Sequence, residues 1–265
     1  MLDFSVEDCP THFYKYRSLK GDSLEYTRKI LFDNELWFPA PRTFNDPFDT
    51  WPTFSFDSTA DERAALYARQ YRCSNPHWSE DKCLAQAAEL ANNPVIDPHT
   101  QEARDHMQKN HTHKVRDKIG VLCLCKDPDN ILMWSHYADE HRGVCLKFDG
   151  YYPFFAQAQK VEYPPQRRAV NPFRDLPDEQ MAASVLHKYD GWVYESEWRI
   201  VDYQDGPGAR SFPESSLIGI IMGASISPTN ELTVRRWHAT RAPSLTLERA
   251  VASKNTYELR IEPAS

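Results

Sequence analysis

The run from Val121 to Asp149, VLCLCKDPDNILMWSHYADEHRGVCLKFD, constrains this chain more than any other stretch. It reads as strand, polar turn, short helix, glycine stop and strand. Val121–Cys125 is apolar on both of its alternating faces, the pattern of a central strand covered on two sides. Asp127-Pro128-Asp129-Asn130 is a turn, and Asp129 or Asn130 can cap the helix that follows. Met133, His136, Tyr137 and Glu140 then recur at three- and four-residue spacing and share one stripe. Gly143 is expected to end the helix as its left-handed residue, and Val144–Phe148 is a second apolar strand. Side chains hung over the ends of central strands are where sites form.

Around that centre the chain reads as follows. His12–Arg17 is a first strand, with Phe13, Lys15 and Arg17 on one face and His12, Tyr14 and Tyr16 on the other. Asp22 or Ser23 caps a helix to about Phe32, and Leu36–Phe38 is a short strand. The loop PAPRTFNDPFDTWP follows. Phe44 and Phe48 are expected to anchor it and leave Asn45, Asp46 and Asp49 free, although Asn-Asp-Pro also suits a self-capping turn. Residues 59–116 turn Ala-, Glu-, Gln- and Lys-rich, a helical insertion broken at Asn75-Pro76 and Asn92-Asn93-Pro94. Its His106, His111 and His113 read as surface histidines. Later come a short strand at Lys160–Tyr163, a basic loop QRRAVNPFRDLP, a helix near Glu179–Tyr189, an apolar strand Leu217–Met222, a helix opened by Ser227-Pro228, and a closing hairpin.

The totals narrow the function. With 41% hydrophobic and 26% charged residues the chain belongs with folded globular proteins. A net charge of −7 argues against a nonspecific binder of phosphate backbones. No apolar run approaches the roughly 20 residues that span a bilayer, and MLDFSVEDCP shows no export signal. The six cysteines lack CxxC spacing and read as reduced thiols, so the expectation is a cytoplasmic protein with no membrane role and no metal site.

The sharpest chemical signal is Trp192–Val201, WVYESEWRIV. Tyr194, Trp198 and Ile200 share one face, the buried one; Glu195, Glu197 and Arg199 share the other. Two carboxylates about 7 Å apart beside an arginine make an acidic ridge with unevenly neutralised charge. The structural alternative is an exposed strand with an ion pair of little energetic weight.

YKYR, FNDPFD, MWSHYADEHRG and YESEWRI together resemble an uncharacterised bacterial domain-of-unknown-function family, over most of the chain outside the helical insertion. More distantly, a basic first strand, a middle cluster of hydroxyls and aromatics and a late Glu-x-Glu resemble the ADP-ribosyltransferase superfamily. That resemblance implies an α+β fold with split mixed or antiparallel sheets around a cleft, in a single domain over 1–265. It implies cleavage of NAD, as substrate, and transfer of ADP-ribose to a protein, nucleic acid or small molecule, as in a bacterial toxin or phage-defence effector. Glu197 then stabilises the ribosyl cation and Glu195 orients or deprotonates the acceptor. Lys15, Tyr16 and Arg17 face the phosphates or ribose, Tyr137 stacks on nicotinamide, Ser135 or His136 positions its amide, and Asn45 and Asp46 complete the dinucleotide site. Lys15 and Arg17 both match the first-strand position. In the superfamily the middle motif usually lies on a strand, but here it is helical. Two other readings stand beside this one. A metal-dependent hydrolase or nuclease could use His136, Asp139 and Glu140, with Asp46 and Asp49 if the loop folds over. A non-enzymatic nucleotide-sensing or interaction module could use the insertion as its contact surface.

Overall fold

The computed structural model describes residues 10–93, 100–241 and 245–264; Cys9 and Pro94 fall outside them. In chain order the elements are β1 (His12–Arg17), α1 (Asp22–Phe32), β2 (Glu35–Phe38), β3 (Thr53–Phe54), α2 (Ala60–Ser74), α3 (Glu80–Ala91) and α4 (Gln101–Lys118). Then follow β4 (Gly120–Cys125), α5 (Ile131–Tyr137), β5 (Val144–Asp149), α6 (Pro153–Ala156), β6 (Gln159–Lys160), β7 (Ala169–Val170) and α7 (Pro177–Val185). The chain ends with β8 (Glu197–Asp202), β9 (Gly208–Ser211), β10 (Leu217–Met222), α8 (Pro228–Arg241), β11 (Thr246–Ala252) and β12 (Leu259–Pro263). The protein is α+β. It divides into two compact units, one of residues 1–40, 119–161 and 190–265, the other of residues 41–118 and 162–189.

The first unit is built on an eight-stranded sheet in the order β12-β11-β10-β5-β1-β4-β8-β6. Its pairs are antiparallel except β10 with β11, which makes the sheet mixed. Alternation sorts each strand between two layers. Phe13, Leu122, Leu124, Leu146, Trp198 and Ile200 pack on one face under Ile30 and Leu31 of α1 and Val234 of α8. Tyr14, Tyr16, Cys125, Cys145 and Ile221 pack on the other, under Met133 and Trp134 of α5.

This sheet is nearly two. β1 pairs with β5 along its whole length, from His12↔Asp149 to Arg17↔Val144, and β4 pairs with β8 from Gly120↔Asp202 to Cys125↔Glu197. Between β1 and β4 the register holds at Tyr14↔Cys125 alone. Side chains take over acceptors that a ladder would use. Lys15 Nζ donates to the Cys123 carbonyl at 3.0 Å and Tyr16 Oη to the Asp127 carbonyl at 2.6 Å. Where the sequence suggested two facing sheets, the strands of this unit form one sheet opened along a seam, with a two-stranded ribbon, β2–β9, beside it.

Local signals hold in kind more than in detail. Asn130 caps α5, its Oδ1 accepting from Leu132 N at 2.9 Å and Met133 N at 3.1 Å. α1 instead starts at Gly21, whose φ of 56° explains the glycine, and no side chain caps it. Gly143 does not end α5 in a left-handed conformation. That backbone falls on Asp139, Glu140 and His141, at φ 49°, 53° and 67°. Gly143 is needed for close approach, since a Cβ there would run into the Arg17 carbonyl of β1.

The second unit holds α2, α3 and α4, the parallel ribbon β3–β7, and α7. A capping box starts α2, with Thr59 Oγ1 accepting from Glu62 N at 3.2 Å and Glu62 Oε2 from Thr59 N at 2.7 Å. Of the three histidines, His111 is not a surface residue: its ring meets Phe54 edge-on and Nε2 lies 2.8 Å from Ser184 Oγ. The loop after Pro41 reverses its expected anchoring. Phe48 is 65% exposed, while Asp46 and Asp49 are buried. Asp46 Oδ1 accepts from Phe48 N at 2.8 Å, the self-capping turn, and Asp49 lies 3.7 Å from Lys188 Nζ.

Candidate functional site

The residues that bring chemistry together lie where β8 begins, on the strand that pairs with the far side of β4 from the seam. The expected strand over Trp192–Val201 starts only at Glu197. Asp190–Glu195 winds as a 3-10 turn, and Ser196 joins the two at φ 44°. A left-handed serine costs on the order of 1–3 kcal/mol unless its surroundings hold it. Here the Ser196 carbonyl accepts from Lys126 N and its own N–H donates to the Val193 carbonyl. Glu195 and Glu197 therefore do not share a strand face.

Both carboxylates are buried, at 3% and 4% exposure, so the ridge is not a solvated one. The reason is the α5 layer, which covers the face that alternation alone assigned to water. Glu195 Oε1 accepts from Tyr137 Oη at 2.6 Å. Glu197 is gripped at both oxygens by Arg199, Nε to Oε1 at 2.8 Å and Nη2 to Oε2 at 3.0 Å, and Arg199 is 0% exposed. Removing either partner of such a pair leaves a buried charge uncompensated, a loss of about 3–5 kcal/mol.

α5 delivers Tyr137. Asn130 Nδ2 donates to the Tyr194 carbonyl at 2.7 Å, tying the helix start to the 3-10 turn that carries Glu195. Trp134 is fully buried, packs edge-on against Tyr16 and donates through Nε1 to the Pro128 carbonyl at 2.8 Å, so it is core. Ser135 is committed to the Ile131 carbonyl at 2.8 Å and lies 3.1 Å from His141 Nε2. His136 is exposed, with its ring near those of Tyr137 and Tyr194.

The first strand divides its basic residues. Lys15 is half-buried as a residue, yet its ammonium is withdrawn from water, and desolvation pulls it down to about 8, Arg17 adding to that fall and Glu197 opposing it. Cys123, whose carbonyl Lys15 holds, is also half-buried, and burial first, then Glu197, pushes its thiol up. Arg17 lies under α1, with Nε 3.5 Å from Thr27 Oγ1, on the sheet face opposite Tyr137. Tyr16 is locked into the core, and burial drives its phenol upward. The sequence offered Lys15 and Arg17 as equals; Lys15 is the one at the seam. Asn45 and Asp46 belong to the second unit, Asn45 exposed and Asp46 occupied by its turn.

Of the side chains the metal alternative would use, Asp139 and Glu140 both pair with Arg142, at 3.1 and 3.0 Å, and among the described residues no group of three possible ligands converges. The five described cysteines are free thiols, and no described helix is long and apolar enough to cross a membrane. The phenol–carboxylate contact and the buried state of Arg199 had no sequence signal beyond the motifs themselves. Ser196 had none at all.

No curated protein and no solved structure matches the chain. Residues 133–200, which run from α5 into β8 and contain two of the four motifs, match the family model DUF2971, a protein of unknown function, in keeping with an uncharacterised family.

Proposed function

We propose that the chain is an ADP-ribosyltransferase-like enzyme that cleaves NAD at the seam between β1 and β4. One observation carries this reading: two buried carboxylates, Glu195 and Glu197, flank a left-handed Ser196 where β8 begins, one strand from that seam, one on a phenol and one on an arginine.

When the nicotinamide–ribose bond breaks, nicotinamide leaves as a neutral base and positive charge stays on the ribose. A fixed carboxylate stabilises that charge without reorganising. Glu197 is placed for this role by Arg199. Glu195 takes the proton that an attacking hydroxyl or amine must lose, and Tyr137 holds its orientation. Lys15, rather than Arg17, is the first-strand cation for the ribose or phosphates. A protein, a nucleic acid, a small molecule or water each fits as acceptor; the reading needs only that it carry a removable proton.

The test is nicotinamide release from NAD, followed by chromatography. Glu197→Gln is expected to abolish release, and Glu195→Gln to reduce it by about 10²-fold, the usual scale for a lost general base. Circular dichroism separates lost chemistry from lost folding. Release that persists in folded Glu197→Gln, or none from the wild type with any acceptor class, overturns the proposal.

A further inference from the structure

The second unit contains a hollow of about 180 Å³ walled by two stretches that the proposed reaction leaves unused, the FNDPFD loop and the basic loop after Pro164-Pro165. Aromatic surface stands open there. Phe48 and Tyr189 are each 65% exposed and Trp51 is 43% exposed. Covering such rings is a large apolar gain for any flat ligand. The backbone beneath them is fixed: Asp46 holds the Phe48 N–H, and Thr50, 1% exposed, sits at φ 55°. A buried threonine keeps that conformation only where its surroundings impose it.

Cations line the same walls. The Arg167 guanidinium lies 4.7 Å above the Phe48 ring, and Arg168 lines the hollow with it. Among the described residues neither Arg167 nor Arg168 pairs with a carboxylate, whereas Arg42, Arg72 and Arg174 of the same unit each do. His187 lines the same hollow, its Nε2 2.9 Å from Glu162 Oε2.

We infer that this hollow binds a nucleoside phosphate. The base stacks on the exposed aromatic rings, and Arg167 and Arg168 take the phosphate. An acidic peptide would use the arginines and leave the rings idle. The volume, below the ~300 Å³ at which pockets for larger ligands begin, suits one ring with its phosphate at the rim. The same chemistry is offered by a free mononucleotide and by one nucleotide of a single strand. The inference does not depend on the NAD reaction of the first unit.

Calorimetric titration of the full chain tests it, with adenosine 5′-monophosphate, inorganic phosphate and a short oligodeoxyadenylate as probes. The monophosphate is expected to bind, and inorganic phosphate about tenfold or more weaker, the scale of one stacked base. Arg167→Ala and Tyr189→Ala are each expected to weaken the monophosphate by about tenfold, since both side chains sit at the surface and their removal leaves no cavity. Glu195→Gln leaves that binding unchanged, and Arg167→Ala leaves nicotinamide release unchanged, so the two sites fail separately. An oligonucleotide binding more tightly than the monophosphate, with a steep salt dependence, assigns the ligand to a strand; equal or weaker binding assigns it to the free nucleotide. The inference is overturned if neither nucleotide probe binds, if inorganic phosphate binds as well as the monophosphate, or if both variants bind like the wild type.

Discussion

At Glu195 the carboxylate is held by a neutral donor, Tyr137 Oη at 2.6 Å, whereas Glu197 is held by the guanidinium of Arg199. A phenol holds one carboxylate oxygen through a neutral bond, while the arginine holds both oxygens of Glu197 through charge-assisted ones. Tyr137→Phe removes that neutral bond. It is expected to cost about 1–3 kcal/mol in urea unfolding and to slow nicotinamide release with little change in its KM. Lys15 gives a pH signature. Its folded value, about 8, lies below its usual 10.5, so the unfolded chain binds more protons between those values and the lysine's penalty on folding fades as pH rises through them. Buried thiols such as Cys123, pushed up by burial, work in the opposite direction as the unfolded thiols ionise, so the wild type alone does not isolate the lysine. The comparison with Lys15→Met does: the stability of the wild type relative to this variant is expected to rise from about pH 8 towards 10.5. A flat difference means that the ammonium is solvated in the folded state.

The turn after α5 makes the same point one level up. Asp139, Glu140 and His141 occupy left-handed backbone in succession, and none is glycine. Glu140 is exposed and pairs only across the surface with Arg142, a contact of small weight. Glu140→Gly is thus expected to raise stability by up to about 1 kcal/mol, whereas Gly143→Ala, which drives a methyl into the Arg17 carbonyl, is expected to lower it by about 1–3 kcal/mol. Thermal unfolding of the two variants checks both signs. The sequence made Gly143 conspicuous and its neighbours ordinary, because a residue's name records whether it tolerates φ > 0, not whether the fold requires it. Elements were legible wherever one local rule sufficed: the doubly apolar β4, the Asn130 cap, the Ser227-Pro228 start of α8, the closing hairpin. They were not legible where a distant layer decided. Period two placed Glu197 and Arg199 on one face correctly, but nothing within Trp192–Val201 disclosed that α5 roofs that face, or that Ser196 breaks the strand before Glu195 reaches it. The loop misread for Asp46, Asp49 and Phe48 has the same origin. Polarity predicts exposure only when no capped N–H or lysine lies within reach.

Across the molecule, the sheet of the first unit joins two well-paired groups of strands through one register position. β1 pairs with β5 along its whole length, β5 with β10 through a ladder shifted once between Leu217 and Gly219, and β4 with β8 without a break, but Tyr14↔Cys125 alone connects the two sets. What bridges the rest of the seam is a lysine and a phenol reaching carbonyls, and side-chain bonds of this kind are worth only about 0.5–1.5 kcal/mol each. Cooperative units follow dense backbone pairing, so the seam should be a boundary between them. In native-state hydrogen exchange the amides of β1, β5 and β10 are expected to open with one common free energy and those of β4 and β8 with another. Lys15→Met should lower the barrier between the two sets while leaving each internally cooperative. A single shared opening energy for all five strands would mean that the seam is as firmly closed as the ladders, and a groove wide enough for a dinucleotide could not form there without unfolding the sheet.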